Sequence, residues 1–199
     1  KNIIKVIFLF LFRRWLCKNN EIRNILIKKC GYFFPNDRVI NSYKEYFKSR
    51  NLYCDKLPLN DGDIVFVSDN LGYMLKNKEN ECEILKKIYK HLIKLYPQHT
   101  IWFKPHPNEK DNISKLKIIN KIGFQILDCE SAYEQICCKY NIITCGIGST
   151  SLITSSLIFE RKTYSYIWFL KDLNKYGLRK QEEFIRIVKN IGQLEICDI

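Results

Sequence analysis

The chain has no disulfide framework, no zinc motif, no apolar run of membrane-spanning length and no block of like charge, and each absence excludes a class of protein. Its nine cysteines are odd in number and scattered. Cys137 and Cys138 are adjacent, and no C-x-x-C occurs. A stapled secreted scaffold and a tetrahedral zinc site are therefore not expected. Small buried hydrophobes in a reducing, cytoplasmic compartment fit the scatter better. The apolar stretch Ile3 to Phe12 is interrupted by Lys5 and stopped by Arg13-Arg14. It is too short for a membrane span, which needs roughly 20 apolar residues, and no small-residue cleavage site follows it. A buried helix is expected there, with an amphipathic helix resting on a membrane surface as the alternative. No run of five or six like charges, no RNA-binding aromatic motif and no helix-turn-helix pattern is present, so nucleic acid is not an expected partner. There is no internal repeat and no low-complexity tract.

What is present begins with charge. Thirty-three Lys and Arg against 21 Asp and Glu give a net charge of +12 over 199 residues. Such a field attracts anions, whether an acidic sugar, a nucleotide or an anionic membrane face. A hydrophobic content of 46% is enough for a folded core. The length suits one domain and a fraction of another. The first residue is Lys rather than Met, so the chain is expected to be a piece of a longer protein or a processed form.

From Leu57 onward the pattern is regular. Ile64-Val65-Phe66-Val67 reads as a buried strand after the turn signal Asn60-Asp61-Gly62. Glu79 to Tyr96 reads as a helix, with Leu85, Ile88, Tyr89, Leu92, Leu95 and Tyr96 at helical spacing. Strands are expected at Thr100–Phe103, Phe124–Leu127, Ile142–Cys145 and Thr163–Ile167. Helices are expected at Asn112–Lys121, Ser131–Lys139, Ser149–Phe159 and Gln181–Ile191. Ser131 with Glu134 fits a capping box. Alternating strands and helices predict an α/β fold with a doubly wound parallel sheet. Right-handed crossovers then bring every strand's carboxyl end to one edge, where open α/β folds bind ligands.

Two junctions on that edge carry chemistry. In Phe103-Lys104-Pro105-His106-Pro107 a cation and an imidazole stand among prolines, which fix their own φ and bias the preceding residues to extended backbone. The second junction, Ile142 to Ser151, passes through Gly146-Ile147-Gly148 into Ser149-Thr150-Ser151. Small hydroxyl residues at a helix start offer donors to an anion. Together they suggest a phosphate-bearing nucleotide donor. His91 and His99 are more simply solvated or packed than functional, and the aromatics Trp102, Trp168 and Tyr164 are most simply core.

A strand ending in Lys-x-His-Pro, a helix carrying a Glu, and a strand ending in a Ser/Thr cluster resemble bacterial sialyltransferases of the HP-motif type. Glycosyltransferase family 52 and the capsular polysialyltransferases are the families named by this resemblance, which covers about residues 60–195. It implies a Rossmann-like nucleotide-binding half of a GT-B fold over 57–199, preceded by a partial amino-terminal or interdomain segment over 1–56. It further implies inverting, metal-independent transfer of sialic acid from CMP-sialic acid to a cell-surface glycan, lipooligosaccharide or capsule, with no cofactor beyond the donor. By the resemblance His106 is the catalytic residue at the donor phosphate. Lys104, Pro107, Glu134, Gly148, Ser149, Thr150, Ser151 and Asp69 would bind the donor, with Glu134 at the ribose or base. Peripheral association with the cytoplasmic membrane is an accompanying expectation.

The family's catalytic carboxylate, in a D/E-D/E-G motif, belongs to the amino-terminal domain. Asn60-Asp61-Gly62 is only superficially like it and precedes a strand in the wrong half, so Asp61 is not expected to be catalytic. The alternatives are another GT-B capsule or teichoic-acid transferase with a CDP- or UDP-linked donor, and a non-catalytic fragment.

Overall fold

The computed structural model describes residues 41–42, 45–46, 56–69, 71–77, 80–188 and 194–197. The expected helix at Ile3 to Phe12 and most of segment 1–56 lie outside these residues. Strand β1, Ile64–Val67, is buried along its whole length. It is flanked by β2, Ile101–Lys104, and β4, Ile143–Gly146, both parallel to it. Strands β3 (Gln125–Ile126), β5 (Thr163–Ser165) and β6 (Leu194–Ile196) complete one parallel sheet of order β3-β2-β1-β4-β5-β6. The doubly wound parallel sheet read from the alternation is the one found.

Period-two alternation divides β1 between two cores. Ile64 and Phe66 point into one, where they meet Leu85, Ile88 and Leu92 of α1 (Asn80–Leu95), Ile119 of α2 (Ile113–Ile122), and Phe184 and Val188 of α5 (Lys175–Val188). Val65 and Val67 point into the other, against Tyr133, Ile136 and Cys137 of α3 (Tyr133–Lys139). Thr144 of β4 joins Tyr133 Oη at 2.8 Å and Ser155 Oγ of α4 (Thr150–Leu157) at 2.6 Å in a fully buried hydrogen-bonded chain. Among the described residues no helix is long and apolar enough to cross a membrane, and the six described cysteines are all free.

Three expectations are corrected. The cap of α3 falls on Ala132 rather than Ser131: the helix starts one residue later, where Gln135 Oε1 accepts the Ala132 N–H at 2.9 Å, and Tyr133 is buried in the core. The last helix begins at Lys175 rather than Gln181. Asn174 caps it by accepting the Gly177 N–H at 2.9 Å, and Gly177 sits inside the helix because its α-carbon packs on the Met74 carbonyl. Trp168 is half exposed rather than core. Of the two alternatives for His91, solvated or packed, the structure shows it packed, with Nδ1 3.0 Å from Tyr166 Oη.

Asp61 and Asp63 stand at the amino end of β1. Asp61 Oδ1 accepts the Asn141 N–H at 3.0 Å, and Asp63 Oδ2 accepts the Asn60 N–H and the Trp102 indole N–H. Both brace the edge of the sheet opposite the one that bears Lys104 and His106.

Candidate functional site

The Phe66 and Phe103 rings stack at 5.7 Å and anchor the end of β2. Lys104 is the last residue of the strand, and Pro105 is buried behind it. His106 is extended (φ −64°, ψ 147°) and caps a single 3-10 turn, Pro107–Glu109. The cap is reciprocal: His106 Nδ1 accepts the Asn108 N–H at 3.2 Å, and Glu109 Oε2 accepts the His106 N–H at 3.0 Å. This is a capping box with imidazole in place of a hydroxyl. Because the Nδ1 lone pair is engaged, Nε2 is the ring nitrogen left to donate to a ligand, and His106 lines a cavity.

Glu109 is only 3% exposed. It pairs with Lys115 of α2, whose ammonium also reaches Glu81 Oε1 of α1 at 2.5 Å. Burial pulls the Lys115 ammonium down, but its bonds to Glu109 and Glu81 outweigh that and hold it above the ordinary lysine value. The loop that carries His106 is thus fastened to two helices.

The second junction is fastened from β1. Gly148 N–H donates to Asp69 Oδ2 at 2.6 Å. Asp69 Oδ1 lies 3.6 Å from Lys180 Nζ of α5, and the Asp69 side chain is 4% exposed. Burial pushes the Asp69 carboxyl above the usual aspartate value, against the opposing pull of Lys180, the Gly148 N–H and Ser149. A side chain at Gly148 would crowd Ile167, since an added Cβ would come within 3.1 Å of it. Ser149 Oγ caps α4 by accepting the Ser151 N–H at 3.3 Å. The Thr150 and Ser151 hydroxyls at the helix start accept no hydrogen bond and donate none among the described residues.

Between these loops lie two adjoining cavities. The first, about 370 Å³, is lined by Lys104, Pro107, Lys110, Glu134 and Ser151 together with His106, Ser149 and Thr150. The second, about 560 Å³, shares those last three residues and adds Asp69, Tyr73, Gly148, Tyr176 and Lys180. The expected site residues therefore converge on one edge but divide between two chambers, with His106, Ser149 and Thr150 on the dividing wall. Lys104 is half-buried; its ammonium is 3.5 Å from Cys129 Sγ and has no carboxylate partner among the described residues. Lys110 is paired with Glu130 at 2.6 Å. An unpaired ammonium, an Nε2–H and two hydroxyls facing one space can bind a phosphate. Among the described residues no group of three His, Cys, Asp or Glu is placed to hold a metal ion.

Sequence reasoning passed over Glu109, Lys110, Lys115, Tyr73, Tyr176 and Lys180. The His106-x-x-Glu109 spacing was the available signal for Glu109. Lys180 had none, because its helix was expected to begin one residue beyond it.

The family model described as alpha-2,8-polysialyltransferase (POLYST) matches residues 16–167, well over half the chain. Of the two families the sequence resembles, the match falls on this one. No curated protein matches the chain. Among solved structures, one described as Thermosulfurimonas dismutans KpsC, beta Kdo 2,7 transferase, is similar at 18% identity and a TM-score of 0.39, covering 73% of this chain. The chain spans 46% of the length of that protein.

Proposed function

The chain belongs to the alpha-2,8-polysialyltransferase family, and from that premise we propose that it is the donor-binding half of a GT-B glycosyltransferase that moves sialic acid from CMP-sialic acid onto a capsular glycan. The observation that carries the reading is that Lys104, which has no carboxylate partner among the described residues, lines one cavity with His106 and the hydroxyl residues Thr150 and Ser151. In this transfer the bond from the anomeric carbon to the phosphate oxygen breaks, and CMP departs with a growing negative charge. Donors fixed in advance at that oxygen stabilise the transition state. His106 serves as a hydrogen-bond donor rather than a proton source. With Nδ1 unprotonated and engaged by Asn108, loss of the Nε2 proton would leave an imidazolate. The acceptor hydroxyl attacks the opposite face and gives its proton to a general base, the role that the resemblance assigns to a carboxylate of the amino-terminal domain, and the configuration inverts. Glu134, half-buried at the first turn of α3, is placed to accept from ribose hydroxyls or the cytosine amino group. The surplus of positive charge suits an anionic glycan and an anionic membrane face.

Calorimetry with CMP, CDP, UMP and UDP tests the reading. CMP is expected to bind, and Lys104→Ala to weaken it about tenfold, since a hydrogen bond to a charged group contributes ~1.5–3 kcal/mol. Absence of heat from folded protein at millimolar CMP overturns the donor site. Stronger binding of CDP than CMP replaces the donor with a diphosphate-linked one.

A further inference from the structure

Resting on that donor-site reading, we propose that the second cavity, of about 560 Å³, is the subsite for the transferred sugar, and that it selects a sugar acid by meeting its carboxylate with the Lys180 ammonium. The argument begins with the shared wall. A nucleotide sugar carries its phosphate between nucleoside and sugar. His106, Ser149 and Thr150 are common to both cavities, so a phosphate held by them sends one half of the donor into each.

Charge decides which half goes where. In the first cavity Glu130 is engaged by Lys110, which leaves Glu134 to accept from ribose hydroxyls or an amino group and Lys104 to meet the phosphate. The second cavity has one carboxylate, Asp69, and both its oxygens are engaged, one by the Gly148 N–H and one by Lys180. Beyond the shared wall it offers a ligand an ammonium, two phenol rings and the Asn108 amide. At 3.6 Å the Lys180–Asp69 pair is looser than a hydrogen bond. The ammonium has three donors, enough to hold a ligand carboxylate as well as Asp69.

The aromatic walls are built in. Asn174 Nδ2 donates to the Tyr73 carbonyl at 2.8 Å, tying the 3-10 turn Leu71–Tyr73 to the start of α5, where Tyr176 sits. Tyr73 and Tyr176 are 62% and 50% exposed. Each presents a flat apolar face with a polar tip, which suits a pyranose ring. The Arg179 guanidinium lies 5.8 Å from the centroid of the Tyr176 ring and adds positive potential at the rim.

The test is calorimetry with three probes: CMP, a non-transferable CMP-sialic acid fluorinated beside the anomeric carbon, and the carboxyl methyl ester of that compound. Wild type is expected to bind the acid more tightly than CMP. Lys180→Met is expected to lose about tenfold for the acid, the scale of one charge-assisted hydrogen bond, and less than about twofold for CMP. The methyl ester should bind wild type no better than the acid binds Lys180→Met. Tyr176→Ala, an exposed position, should weaken the acid several-fold and leave CMP alone. Equal losses for acid and CMP in Lys180→Met would overturn the proposal, because Lys180 would then act only by holding Asp69 and its loop. Unchanged acid affinity in both variants would overturn it too, with the CMP site intact. Failure of wild type to bind CMP would remove the donor-site reading and this inference together.

Discussion

Replacing Glu109 by Ala should both destabilise the fold and loosen the proposed nucleotide site. The carboxylate is 3% exposed, accepts the His106 N–H at 3.0 Å and pairs with Lys115. Its removal leaves a partly buried N–H without an acceptor, costing about 1–3 kcal/mol. Breaking a buried ion pair costs about 3–5 kcal/mol when the surviving charge is left alone. Lys115 is not left alone, since Glu81 remains 2.5 Å away, so that contribution falls well below its range. The expected loss is about 2–4 kcal/mol, a fall in melting temperature of roughly 4–16 °C for a chain of this size. Freed from its reciprocal cap, the His106 turn should also bind CMP several-fold more weakly. Glu109→Gln separates the two effects. It keeps an oxygen for the His106 N–H and loses the charge, so it should melt between wild type and the Ala variant and bind CMP nearly normally. Urea denaturation and calorimetry on the three proteins decide it. An Ala variant that melts with wild type and binds CMP equally well would refute the idea that Glu109 sets the His106 turn.

Asp69 gives a pH signature. Its carboxyl is raised in the fold by burial, so the native state holds the proton more tightly than the unfolded chain. Wild-type stability relative to Asp69→Asn should therefore fall as pH rises from about 4, the ordinary aspartate range; melting both proteins across that window checks it, and a gap that widens in favour of wild type would contradict it. Gly177→Ala should destabilise even though Ala is the better helix former by ~1 kcal/mol. The new Cβ would lie 2.3 Å from the Met74 carbonyl oxygen, and overpacking of this kind costs about 1–3 kcal/mol, so a higher melting point in this variant would refute the close approach.

The centre of the fold was readable because its signals are strong and local. β1 and β4 are short apolar runs closed by turn or glycine signals, and α1 carries a clear apolar stripe between lysines. The edge bearing Lys104, His106 and Ser149–Ser151 followed from topology alone. What escaped depends on contacts between distant residues. Nothing local links Asp69 to Gly148, seventy-nine positions apart. The last helix begins six residues before the expected Gln181, with Gly177 packed on Met74 and Asn174 supplying the cap. β6 is three residues long, and only its pairing with β5 defines it. The cap expected at Ser131 falls one residue later, at Ala132, where the first helical residue, Tyr133, is buried.

The sheet order also sets a timetable. β1 is made first but stands at the centre, and its neighbour β4 arrives roughly eighty residues later. At ordinary synthesis rates of ≈ 5–20 residues per second, β1 waits on the order of 4–16 s with an unpaired edge. Such non-local parallel pairing is slow and open to aggregation. The cradle formed by Lys104, His106 and the start of α4 cannot exist before that pairing closes. If that cradle holds the proposed donor, capture comes late in the life of each molecule, and a nucleotide added during refolding would act by trapping finished chains rather than by guiding unfinished ones.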